Sequence, residues 1–279
     1  KEEELIVYPG ISSVVAFCAK LKTSWDDVKL MSLHGRGQNI VHALKEYGKV
    51  FTLVGTKEGV PDLCKKLIDY GMEDTKIFVG ESLSYPQERI VTGRVSEIMN
   101  MEFDPLTVVL LERKKDDFIV THGIPDEAFL RDKVPMTKEE IRSISLSKLQ
   151  LQKDSVIYDI GAGTGSVSIE MALQASEGRV YEKKKEAVHL ILENKKKFAA
   201  DNLEVVEGLA PEALEGLPTP THAFIGGSSG NMREILKILL QKNNKIRIVV
   251  NAIAVETVAE TLQCLKELPF CGEEVVQVS

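Results

Sequence analysis

The sequence predicts an α/β protein of two domains, and three observations carry that prediction. Short apolar runs alternate with amphipathic stretches over 279 residues that are 43% hydrophobic and 28% charged, a length that suits two domains. One apolar run, Ser155 to Ile160, breaks into Gly161-Ala162-Gly163-Thr164-Gly165 and resumes with helical spacing at Ser166: a strand, a tight turn and a helix start. Residues 114–134 mix charge with Gly123 and Pro125, which is linker composition, so the domains are drawn as 1–113 and 135–279.

In the first part, Leu5–Tyr8 reads as a strand ending at Pro9-Gly10, and Ser12 or Ser13 caps a helix with Val15, Phe17, Cys18 and Leu21 on its apolar face. Lys29–Leu33 is a strand that runs into His34-Gly35-Arg36-Gly37, and Asn39–Tyr47 is helical. Val50–Val54 is a buried strand, and the next helix begins at Pro61, whose fixed φ suits a first turn. Lys76–Val79, Arg89–Gly93 and Thr107–Leu111 complete the strands.

In the second part, Thr137 and Glu140 have the spacing of a capping box for a helix with Ile141, Ile144, Ser145, Leu146 and Leu149 inward. After the glycine loop a helix runs to about Ala175, Gly178–Tyr181 is a strand with Glu182 at its end, and a helix spans Glu186–Phe198. Strands then fall at Leu203–Glu207, Thr221–Ile225 and Ile246–Val250, helices at Met232–Leu240 and Ala254–Glu267, and a further strand starts at Glu274.

Composition narrows the function. No apolar run approaches the roughly 18 residues of a membrane span. Net charge of −7 and a pI near 5.4 argue against a non-specific nucleic-acid binder. Cys18, Cys64, Cys264 and Cys271 form no Cys-x-x-Cys pair and no metal spacing, which suits reduced thiols in a cytoplasmic protein without a metal. Gly226-Gly227-Ser228-Ser229-Gly230-Asn231 follows a strand at its carboxyl end, where open α/β sheets bind their ligands. Its amides, hydroxyls and helix start form an anion site, the expected place for substrate.

The glycine spacing separates two cofactor classes. A dinucleotide loop has glycine at its first, third and sixth positions, but the sixth here is Ser166, and the third glycine comes early at Gly165. Asp159-x-Gly161-x-Gly163-x-Gly165 resembles the first motif of class I S-adenosylmethionine (SAM)-dependent methyltransferases. A nicotinamide oxidoreductase, a class I methyltransferase acting on another small molecule and a SAM-binding interaction protein are the alternatives.

A second resemblance lies in the first part. Pro9-Gly10-Ile11-Ser12-Ser13, Ser32-Leu33-His34-Gly35-Arg36 and Gly80–Pro86 look like the second lobe of the tetrapyrrole methyltransferases. With the glycine loop they resemble the fused precorrin-6Y C5,15-methyltransferases (decarboxylating), a family that joins a C5-methylating domain to a C15-methylating, decarboxylating one. The resemblance implies the second lobe of a tetrapyrrole methyltransferase followed by a Rossmann-like class I domain. The chain begins where the first lobe should end, and it lacks the antiparallel strand that usually closes a class I domain, so a fragment is expected.

The resemblance further implies S-adenosyl-L-methionine as cofactor, held by Thr137, Asp159, Gly161, Ala162, Gly163, Thr164, Gly165, Glu182, Gly208, Leu209 and Ala210. Glu182, about twenty residues past the loop's start, would bind the ribose hydroxyls. The family has two more apolar residues before this acid, so the shorter strand should move it toward the core end. Gly208, Leu209 and Ala210 would cover the adenine. A corrinoid substrate, precorrin or cobalt-precorrin, would meet Gly226 through Asn231. His34 and Arg36 either face its carboxylates or are solvated tips of a turn. No catalytic acid or base stands out. A homo-oligomer is expected from the family.

Overall fold

The computed structural model describes residues 10–32, 39–56, 59–117, 119–175, 177–182 and 185–278. They form two compact units, one up to Asp117 and one from residue 119 onward, with residues 39–42 grouping with the second. The expected strand Leu5–Tyr8 and the pair His34 and Arg36 lie outside the described residues.

The first unit opens with α1 (Ser13–Leu21), whose N-cap is Ser12; its hydroxyl accepts from the Val15 amide at 3.5 Å. Then come β1 (Lys29–Ser32), α2 (Ile40–Tyr47), β2 (Lys49–Val54), α3 (Gly59–Asp69), β3 (Lys76–Glu81), β4 (Arg89–Arg94), α4 (Val95–Ile98) and β5 (Thr107–Glu112). The sheet order is β1-β2-β5-β3-β4. β1 and β2 are parallel, whereas β5 runs antiparallel to both β2 and β3. Val14, Phe17, Phe51 and Leu110 form the core between α1 and this sheet. Gly80 permits it: a Cβ there would lie 2.6 Å from the Phe17 ring.

The second unit is a parallel five-stranded sheet flanked by helices. Its elements are α5 (Glu139–Leu149), β6 (Val156–Ile160), α6 (Ser166–Gln174), β7 (Glu177–Glu182), α7 (Lys185–Lys197), β8 (Leu203–Glu207), β9 (His222–Ile225), α8 (Met232–Lys242), β10 (Arg247–Val250) and α9 (Val255–Glu267). The strand order is β10-β9-β6-β7-β8, all parallel. β6 is central, and the winding reverses between β6 and β9. That reversal opens a crevice at the strands' carboxyl ends. Tyr158, Ala223, Ile225, Met232 and Leu236 pack one core, and Ile124, Phe129, Ile169 and Ile191 another.

Two expectations are corrected. The helix cap after Pro135 is Lys138, with no side-chain cap bond, and not Thr137; the Thr137 carbonyl instead accepts from the Arg142 guanidinium at 2.6 Å. Residues from Glu274 onward form no strand: among the described residues β10 pairs only with β9 and the tail joins no sheet, its Glu274 instead accepting from the Lys148 ammonium at 2.6 Å. The described residues include no helix long and apolar enough to cross a membrane, and all four cysteines are free.

Candidate active site

The crevice is built from two glycine loops. Gly161, Gly163 and Gly165 all have positive φ, at 75°, 59° and 76°. Only glycine adopts these without strain, so the local sequence dictates this turn. Each glycine also admits a neighbour. A Cβ on Gly161 would lie 2.7 Å from the Gly227 carbonyl oxygen, one on Gly163 2.5 Å from the Pro135 carbonyl oxygen, and one on Gly165 3.0 Å from the Ile191 side chain. The second loop is tied to the first: the amides of Gly226 and Gly227 donate to the Ile160 carbonyl at 2.9 and 3.3 Å.

The remaining predicted residues fall around this junction. Asp159 is fully buried and accepts the Ser168 hydroxyl, so it steadies the loop from behind. Thr164 is fully buried, and its hydroxyl has no hydrogen-bond partner; the same holds for Ser166 beside it at the start of α6. Ala162 and Gly163 are half-buried and Gly161 is exposed.

Glu182 ends β7 in register with Glu207, one residue past the pair Ile160 and Tyr181. The register therefore keeps its backbone at the carboxyl edge, level with Gly161, instead of shifting it toward the core end. In the third loop Gly208 is half-buried, Leu209 exposed and Ala210 buried. The Ala210 carbonyl accepts from the Asn231 side chain at 3.2 Å, which joins this loop to the second. Gly226, Gly227, Ser229 and Gly230 are exposed, and Ser228 is buried. A Cβ on Gly227 or Gly230 would meet nothing within 4 Å, so this lip faces open space. Among the described residues no cluster of His, Cys, Asp and Glu could hold a metal.

Sequence reasoning missed the buried polar framework beneath the loops. Arg142 is fully buried; its Nε donates to Glu170 at 2.9 Å and its Nη1 to Asp126 at 2.8 Å. Another nitrogen of the same guanidinium donates to the Ile124 carbonyl. Glu170, also fully buried, accepts the amides of Gly123 and Ile124 at 2.9 and 3.1 Å. Burial pulls the Asp126 carboxyl up, but hydrogen bonds from Arg142 and Lys138 outweigh it and hold the group below its ordinary value. Asn194 accepts the Leu130 amide at 2.9 Å and donates to the carbonyls of Leu130 and Thr164 at 2.8 and 3.0 Å. The signal was available: Arg142 and Asn194 sit at the inward spacing of their helices, where a polar residue must find partners.

Comparison with known proteins decides the family. The precorrin methyltransferase domain family matches residues 127–278. The chain belongs to that family. Ahead of this domain, the tetrapyrrole (corrin/porphyrin) methylases match residues 2–99. A probable cobalt-precorrin-6B C(15)-methyltransferase (decarboxylating) of Sulfurisphaera tokodaii is 44% identical over 56% of this chain and 83% of its own length. A precorrin-6Y C(5,15)-methyltransferase [decarboxylating] of Sinorhizobium sp is 31% identical over 93% of this chain, which spans 64% of that protein. The crystal structure of a precorrin-6Y C5,15-methyltransferase from Geobacter metallireducens superposes with a TM-score of 0.52 at 38% identity, over 54% of this chain and 81% of that one. A tetrapyrrole methylase domain is thus followed by a methyltransferase domain, and the fold class and enzyme class read from the glycine loop stand.

Proposed function

We propose that the second unit methylates C15 of a corrin precursor of the precorrin-6B/6Y type, with S-adenosyl-L-methionine as methyl donor, and removes the ring C acetate carboxyl as CO2. The observation that carries this is the junction of two glycine loops at the ends of β6 and β9, where Gly161 and Gly227 meet backbone to backbone. A methyl donor on one loop and a macrocycle on the other would face each other across that line. In-line displacement needs such proximity and little else. The relatives' names, which pair C15 methylation with decarboxylation, support the reading.

The residues fit the cofactor. Bound there, SAM supplies an electrophilic methyl group. The backbone of residues 161–165 cradles it where side chains are absent, Glu182 holds the ribose, and Gly208, Leu209 and Ala210 cover the adenine. In the turn Gly226 to Asn231 the Gly226 and Gly227 amides are taken by the Ile160 carbonyl and the Asn231 amide by the Ser228 carbonyl. The substrate's carboxylates are therefore oriented by the amides of residues 228–230 and the exposed Ser229 hydroxyl. Loss of CO2 leaves electron density in the conjugated ring, which makes C15 nucleophilic without a protein base. The first unit, which the tetrapyrrole (corrin/porphyrin) methylases match over residues 2–99, serves C5 methylation.

Calorimetry with SAM and with NADH tests the cofactor assignment. One SAM per chain and no heat with NADH is expected; the reverse would return the loop to the oxidoreductases.

A further inference from the structure

We infer that Arg142 is a positioning residue for the methyl-transfer site: it fixes the segment 123–137 against the glycine loop and thereby sets cofactor affinity. This rests on the reading of that loop as the cofactor site.

The segment is held by residues remote from it in sequence. Arg142 grips it at both ends, through the Ile124 carbonyl and Asp126 at one and the Thr137 carbonyl at the other. Glu170 balances the guanidinium charge and takes two further amides of the segment. The arginine also lies over the Phe129 ring, 4.8 Å from its centroid. Between those ends the segment meets the loop twice. Asn194 bridges Leu130 to the Thr164 carbonyl, and the Pro135 carbonyl lies against the bare Cα of Gly163.

A planar guanidinium with several fixed donors can hold both ends at once, whereas an ammonium on a flexible stem cannot. Arg142→Lys therefore keeps a positive charge for Glu170 but frees one end of the segment. Only the conformation of 123–137 should change, and with it the placement of the Pro135 carbonyl against Gly163.

The test uses the full chain. Calorimetry should show SAM bound at least tenfold more weakly by Arg142→Lys than by wild type. In turnover, KM for SAM should rise while kcat at saturation stays within twofold. Trypsin should cut after the exposed Arg131 and Lys133 faster in the variant, with SAM slowing the cut in wild type. A role in stability alone predicts a lower melting temperature with an unchanged Kd, and a Kd within twofold of wild type overturns the inference. If Arg142→Lys does not fold, Asp126→Asn carries the test: about threefold weaker binding supports the inference, and unchanged binding overturns it. Wild type that binds no SAM overturns the cofactor reading, and this inference with it; wild type that binds beside an unaffected variant overturns the inference alone.

Discussion

The carbonyl oxygen of Pro135 stands where a side chain on Gly163 would begin, 2.5 Å from the position of its Cβ. Gly163 is therefore fixed twice, by its φ of 59° and by its neighbour. Gly163→Ala should destabilise the second unit by about 1–2 kcal/mol from the left-handed backbone, with more from the clash. It should weaken SAM binding as well. Urea unfolding followed with calorimetry checks both, and wild-type stability would show that the contact is slack.

Buried charge sets a second expectation. Glu170→Gln leaves the Arg142 guanidinium without its fully buried partner, at a cost of about 3–5 kcal/mol. Replacing both residues by methionine should cost less than the sum of the single changes, because neither charge is then stranded. A double-mutant cycle that proves additive would mean that the pair is not coupled.

The ribose assignment is tested at Glu182, the last residue of β7. Glu182→Ala should weaken SAM binding by about 1.5–3 kcal/mol, the range for hydrogen bonds to a charged group. A loss near zero would transfer the ribose to some other group.

The first unit offers a pH test. Burial pushes the Cys64 thiol up from 9.0 to about 11. The folded state then holds its proton where the unfolded chain has released it. The stabilisation is complete below pH 9.0 and is lost as pH rises toward 11, by about 2.7 kcal/mol over two pH units. Cys64→Ala should flatten that alkaline slope. Wild-type Cys64 should resist thiol reagents at pH 9 while the exposed Cys271 reacts.

Periodicity and turn chemistry made most elements legible. The glycine loop was readable because three alternating glycines between an apolar run and a helix have few other uses, and β8 spans Leu203–Glu207 as expected. The loops' junction was not readable, because Gly161 and Gly227 are far apart in sequence and only the β6–β9 pairing brings them together. Thr137 was misplaced by one residue because its side chain and spacing suit a cap, while its carbonyl serves Arg142. Arg142 was missed because a charged residue was not counted in the inward stripe that held Ser145, Leu146 and Leu149. The tail from Glu274 has strand composition, but composition cannot supply a pairing partner.

One measurement bears most directly on the claim that a methyl donor and a corrinoid meet between the two glycine loops. The full chain and Gly227→Val are incubated with SAM carrying a labelled methyl group and with precorrin-6B or its cobalt form, and the products are read by mass spectrometry and NMR. Gly227 faces open space, so the variant should fold normally while its side chain fills the lip. Wild-type product should carry one labelled methyl at C15 and have lost one CO2, and Gly227→Val should make neither change. Substrate recovered unaltered from wild type, or turnover by Gly227→Val at the wild-type rate, would contradict it.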